Sequence, residues 1–121
     1  MPHLTLEYTN NLPDYDAQAA LRTLAQAMFE SGLFGEADIK GRAHCLATYL
    51  VGTSDTATAF VHLQVALLSG RSAEQKQALG QHLLAALRTT LPPGHGAVQL
   101  TVDTRDMDRQ SYAKAVLAAV S

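Results

Sequence analysis

Few residues in this chain have the type and spacing to do chemistry. Pro2 directly follows Met1. Trimming of Met1 would leave Pro2 as the free N-terminus, a secondary amine on a rigid ring with no peptide bond on its nitrogen. Such an amine acts as a general base or a nucleophile once its pKa is lowered toward neutrality. Lys40 and Arg42 stand two apart in a stretch that reads as a strand, so both project from one face, and His44 continues the row. Two cations and an imidazole on one face can bind a carboxylate or stabilise an enolate oxygen. The alternative is a solvated polar face on a half-exposed strand. Arg71 precedes Ser72 where a strand gives way to a helix, and a guanidinium beside helix N-terminal N–H groups favours anions. The alternative there is an exposed arginine beside an ordinary cap.

Other reactive residue types lack a defensible pattern. The five histidines include no i, i+4 pair and no H-E-x-x-H, so no metal site is expected. Ser72, His82 and the acidic residues show no nucleophile–base spacing. Cys45 is the only cysteine, which rules out an intramolecular disulfide, and it reads as a small buried apolar residue.

The elements that must position these residues follow from hydrophobic period. Leu4, Leu6 and Tyr8 alternate with His3, Thr5 and Glu7, the pattern of a half-buried strand. Asn10 to Asp14 has turn chemistry, and Asp14 or Asp16 can cap a helix carrying Ala17, Leu21, Leu24 and Met28. Ser31-Gly32 stops that helix. Ile39 to Val51 reads as a longer strand, followed by a turn at Gly52-Thr53-Ser54-Asp55. Phe60 to Leu68 is the next strand, with Val61, Leu63, Val65 and Leu67 on one face. Ser72 and Gln75 form a capping-box pattern that opens a helix with Leu79, Leu83, Ala86 and Leu87 as its stripe. Gly80 interrupts that helix, and Pro92-Pro93-Gly94 ends it. Val98, Leu100 and Val102 mark a last long strand. Tyr112, Val116 and Val120 give the tail one weak amphipathic stripe.

The order is strand-helix-strand, twice, and the halves superpose at one offset of 59 residues. His3, Leu4, Leu6 and Tyr8 fall on His62, Leu63, Val65 and Leu67; Ala20, Leu24 and Met28 fall on Leu79, Leu83 and Leu87. One offset that carries strand, helix and strand indicates an internal duplication. A single α+β domain over 1–121 is expected, with pseudo-repeats at about 2–52 and 59–106 and a tail at 107–121. Each repeat would be a right-handed βαβ unit, giving a four-stranded sheet with two helices on one face. The other face must meet something, most economically another subunit. The copies differ where function should be sought. Pro2 falls on Val61, and Lys40 and Arg42 fall on Gln99 and Thr101. His3 and His62 are equivalent, which argues for packing or hydrogen bonding rather than catalysis.

Composition narrows the classes. With 47% hydrophobic and 17% charged residues the chain can fold, and Trp is absent, so the core rests on Leu, Val and Ala. A formal charge of −2 leaves no basic footprint for nucleic acid. No segment reads as a signal peptide or a membrane span, so a cytoplasmic protein without membrane or nucleic-acid partners is expected.

These residues resemble the tautomerase superfamily and, within it, the 5-carboxymethyl-2-hydroxymuconate isomerase family. The resemblance is carried in order by Met1-Pro2-His3 with Glu7, Ser31-Gly32-Leu33-Phe34, Ile39-Lys40-Gly41-Arg42-Ala43-His44, Ala59-Phe60-Val61-His62 and Gly70-Arg71-Ser72. It covers most of the chain to about Leu91 and thins beyond. It implies a homotrimer with sheets facing inward, and a cofactor-free isomerase of unsaturated 2-hydroxy or 2-oxo carboxylic acids in aromatic-compound breakdown. Pro2 would be the base and Lys40, Arg42 and Arg71 would bind the substrate carboxylates, with His44 and Tyr112 as further candidates. The chain departs from the pattern at Lys40, where the family resembles an arginine. Lysine keeps the charge and loses the bidentate fork, which bears on the choice of substrate. A tautomerase of another enol, or a non-catalytic ligand-binding or assembly module if Met1 is retained, are the competing readings.

Overall fold

The computed structural model describes residues 1–53 and 57–120. Ser54 and Asp55 of the expected turn therefore lie outside the described residues. The elements run β1 (His3–Thr9), α1 (Ala17–Glu30), a 3-10 turn (Glu36–Asp38), β2 (Lys40–Leu46), β3 (Ala59–Leu68), α2 (Ala73–Arg88) and β4 (Val98–Met107). The sheet order is β2-β1-β3-β4. β1 and β2 pair in parallel, as do β3 and β4, while β1 and β3 are antiparallel. This is the four-stranded, two-helix α+β architecture expected from the repeated pattern.

Local chemistry explains the helix ends. Asp16 caps α1 by accepting from the Ala19 N–H, and Gly32 at φ +76° lets the chain leave it. Ser72 caps α2 with both bonds of a capping box: its Oγ accepts from the Gln75 N–H, and its N–H donates to Gln75 Oε1. α2 stops at Arg88, before the prolines, because the Thr89 and Thr90 hydroxyls donate to the carbonyls of Ala86 and Leu87.

The core lies between one sheet face and the two helices. Leu4 and Leu6 of β1, Val61, Leu63, Val65 and Leu67 of β3, Leu24 and Met28 of α1, and Leu83 and Leu87 of α2 are fully buried. Each such side chain contributes about 1.5–3 kcal/mol relative to exposure. In the single chain the opposite sheet face is polar. Register places His3 beside Lys40, Thr5 beside Arg42 and Gln64, Glu7 beside His44 and His62, and His62 beside Thr101. Anything packed there meets charge and hydrogen-bonding groups.

Three expectations are corrected. β2 ends at Leu46 rather than Val51, because its one partner, β1, ends at Thr9 and the Asn10 N–H closes the ladder on the Leu46 carbonyl. Cys45 is exposed rather than buried, since it lies near the end of an edge strand. The tail forms neither helix nor strand over 113–120, and Val116, Leu117 and Val120 are exposed.

Candidate active site

Strand direction gathers the chemically competent residues at one end of the sheet. β1 and β2 are parallel, so the start of β2 lies beside the start of β1, and the Lys40 N–H donates to the Pro2 carbonyl at 3.1 Å. β3 is antiparallel to β1, with Ala66 opposite His3, so its last residues return to the chain's beginning and deliver Arg71 there. β4 runs parallel to β3 and ends at the same place, where the Ser69 N–H meets the Met107 carbonyl. The tail then folds back over the first strand.

The chain begins inside this cluster. Pro2 is fully buried. The Met1 amine titrates below the usual α-amino value. Burial is the largest cause; Asp38 works against it, and the positive charges of Arg71, Lys40 and Lys114 add to it. Lys40 Nζ donates to the Asp38 carbonyl at 2.9 Å. Lys114 Nζ bridges to Asp38 Oδ1 at 3.0 Å and lies 3.3 Å from Met1 Sδ. Asp38 is correspondingly held below the usual carboxylate value, first by its hydrogen bond to Lys114.

Arg71 is pinned rather than loose. Its guanidinium donates to the Leu33 carbonyl at 2.9 Å and to the Leu68 carbonyl at 3.4 Å, and it stacks 4.9 Å from the centre of the Phe34 ring. The N-terminal N–H groups of α2 are partly taken by the capping box. Arg71 therefore offers an anchored, half-buried positive charge beside a helix end whose Gln75 N–H is already taken.

Arg42 lies one step along β2, and its Nη2 is 2.9 Å from His3 Nδ1. His3 Nε2 is in turn 2.8 Å from Tyr112 Oη. His3 titrates below the ordinary histidine value, through burial first and then the positive charges of Arg42, Lys40 and the N-terminus.

Pro2, Lys40 and Arg71 thus come together around the chain start, and Arg42 and Tyr112 join them through His3. His44 does not: it lies exposed opposite Glu7, four residues beyond Lys40 and about 13 Å along the strand. Asp38 and Lys114 escaped the sequence reading, which gave His3 packing or hydrogen bonding without naming its partners. The unlike Arg42 and Thr101 beside the equivalent His3 and His62 were the available signal for His3. Asp38 and Lys114 are 76 residues apart and carry no shared local pattern.

The site chemistry is that of an amine with depressed basicity among cations, suited to proton transfer on a carboxylate-bearing molecule. A groove of about 340 Å³ between α1 and α2, lined by Glu30, Ser31, Leu33, Gln75, Leu79 and His82 among others, has no Lys or Arg in its wall and offers a carboxylate no fixed positive charge. Among the described residues no three His, Cys, Asp or Glu side chains converge to hold a metal ion, and no helix is long and apolar enough to cross a membrane.

Both the sequence and the fold match known proteins. A family model described as 5-carboxymethyl-2-hydroxymuconate isomerase matches residues 2–118. The chain is 27% identical over 90 residues to a 5-carboxymethyl-2-hydroxymuconate Delta-isomerase of Escherichia coli, across 74% of this chain and 71% of that protein. A crystal structure of a 5-carboxymethyl-2-hydroxymuconate isomerase from Deinococcus radiodurans R1 superposes with a TM-score of 0.84 at 30% identity, covering 94% of this chain and 88% of that one. A fused 4-OT symmetric trimer shares the fold, with a TM-score of 0.77 at 22% identity over 93% of this chain and 91% of that one.

Proposed function

Because the chain belongs to the 5-carboxymethyl-2-hydroxymuconate isomerase family, we propose that this isomerase shifts a proton on an unsaturated 2-hydroxy or 2-oxo carboxylic acid. It does so without a cofactor, using Pro2 as general base once Met1 is removed. The observation that carries this reading is the depressed amine at the chain start. Loss of Met1 moves the amine one residue inward, to a proline whose ring is already fully buried. Burial and the charges of Arg71, Lys40 and Lys114 would act on it there in the same sense, against Asp38, favouring its neutral, basic form.

In this mechanism the Pro2 nitrogen takes a proton from substrate carbon, and the dienolate that forms is anionic. Arg71 and Lys40 supply fixed positive charge where that anion develops, with Arg42 one strand step away. The same proton returns to a different carbon, so no redox partner is required. His44 is too far along β2 to join this step.

A homotrimer working in the cytoplasm on products of aromatic-acid breakdown is the biological setting we propose. The names of two fold neighbours as symmetric trimers support the assembly, and the polar open face of the sheet offers groups for it to bury.

A tautomerase of another enol acid is the second reading, and Lys40 favours it. Lys40 brings a point charge tied to the Asp38 carbonyl where a guanidinium would bring a fork.

The deciding experiment is a panel of dienol carboxylates, followed by loss of dienol absorbance, on protein whose intact mass shows Met1 removed. Turnover that falls roughly 10²–10⁴-fold in Pro2→Ala, with the circular dichroism unchanged, supports the base assignment. Unchanged turnover removes Pro2 from the mechanism. A native protein that retains Met1 favours a non-catalytic binding or assembly module.

A further inference from the structure

The two halves use their equivalent histidines differently. In the second half, His62 Nδ1 lies 2.6 Å from Thr101 Oγ1. A hydroxyl can donate or accept, so that contact leaves the His62 tautomer and charge open. In the first half the same ring nitrogen, His3 Nδ1, lies 2.9 Å from Arg42 Nη2. A guanidinium only donates. His3 Nδ1 must therefore present its lone pair, and the neutral imidazole must carry its hydrogen on Nε2. That hydrogen points to Tyr112 Oη at 2.8 Å, so the phenol oxygen accepts and the phenol's own hydrogen is not used by His3.

We propose that His3 is a positioning residue of this site, a one-way link from Arg42 through a neutral Nε2–H imidazole to Tyr112, which leaves the Tyr112 hydroxyl to donate to an anionic oxygen of the substrate. The direction of the chain is set by Arg42, the residue that distinguishes this half from the Thr101 half. The link also ties the tail to β1 through Tyr112 on His3, beside the contact of Lys114 with Asp38 in the 3-10 turn.

Protonation of His3 dismantles the link, because an Nδ1–H would face the Nη2–H of Arg42. The surroundings oppose that protonation. Burial opposes it first, then the positive charges of Arg42 and Lys40, with the N-terminal amine adding to them only in its protonated form. Tyr112 contacts the ring from the tail. From β3 the residue opposite is Ala66, which is uncharged, and beyond it on β4 Arg105 is paired with Asp103.

The catalytic part of this proposal rests on the isomerase reading; the hydrogen-bond chain does not, and it is tested without substrate. Nitrogen-15 NMR of the histidine-labelled full chain, with His3→Gln used to assign the signal, is expected to show His3 neutral with hydrogen on Nε2 at pH 7. It should take its second proton below the ordinary histidine range, and Arg42→Gln should raise that midpoint. A His3 ring carrying hydrogen on Nδ1 at pH 7, or a midpoint unmoved in Arg42→Gln, overturns the chain whether or not the protein is an isomerase.

Given turnover, His3→Leu and Tyr112→Phe should each lower kcat/KM about tenfold, the size of one hydrogen bond. The double variant should be no worse than the poorer single variant. Losses that multiply would show that His3 does not act through Tyr112. His3→Gln keeps a donor that can reach Tyr112 and should recover part of the loss; no recovery over His3→Leu also counts against the link.

Discussion

Lys114 Nζ and Asp38 Oδ1 meet at 3.0 Å across 76 residues of chain, and the pair sits against the N-terminus. As an exposed ion pair it adds little to stability. Its greater effect is on the amine, where its two members act in opposite senses: Asp38 favours the protonated form and Lys114 the neutral one.

Opposite shifts are therefore expected from the two partners. Asp38→Asn should lower the pKa of the N-terminal amine further, and Lys114→Met should raise it. The pH dependence of amine acylation reads this directly, whichever residue carries the amine. Shifts of the same sign in both variants would contradict the arrangement.

Arg71→Ala should raise KM for a dicarboxylate about 10–100-fold, the worth of one charge-assisted contact, with a smaller change for a monocarboxylate. The same change removes bonds to the Leu33 and Leu68 carbonyls and the Phe34 stacking contact, so a stability loss of about 1–2 kcal/mol is expected. Steady-state kinetics on both substrate classes and urea unfolding separate the two effects. Equal KM changes for both classes would place Arg71 away from the second carboxylate.

Acid should weaken the fold through His3. Its folded pKa lies below the ordinary value of 6.5. As pH falls below that value the unfolded chain takes up a proton before the folded one does. The stabilisation present at neutral pH is thus lost as pH falls through the folded pKa. Urea midpoints measured from pH 7.5 down to pH 5 should fall less steeply in His3→Gln than in the unaltered chain.

Gly80→Ala should stabilise the protein by about 1 kcal/mol, raising the melting temperature roughly 4 °C. Gly80 lies inside α2, and a methyl group there meets no atom within 4 Å. The gain comes from restricting the unfolded chain and improving helix propensity. A lower melting temperature would mean that the glycine serves a close approach absent from the single chain.

Much of the fold was legible in local pattern. Leu4 and Leu6 on one side of β1, with His3 and Thr5 on the other, mark a half-buried strand without reference to any other element. Ser72 and Gln75 announce the start of α2 through bonds made within four residues. Leu79, Leu83 and Leu87 mark its buried face. The repeat offset then orders these pieces, and the Lys40–Arg42 row follows from strand period. The length of β2 was not legible, because where an edge strand stops depends on where its partner stops.

The sequence by itself therefore determined the elements, their buried faces, the duplicated order, and which side of β2 carries the cations. All of these follow from spacings of two, three or four residues. Only the tertiary structure decided which distant groups meet. The antiparallel pairing of β1 with β3 returns Arg71 to the chain start, and the parallel pairing of β3 with β4 sends the tail back toward His3 and Asp38. A side chain's period says which face it occupies. Sheet order and strand direction say what stands beside it, and those are settled by the packing of the whole chain.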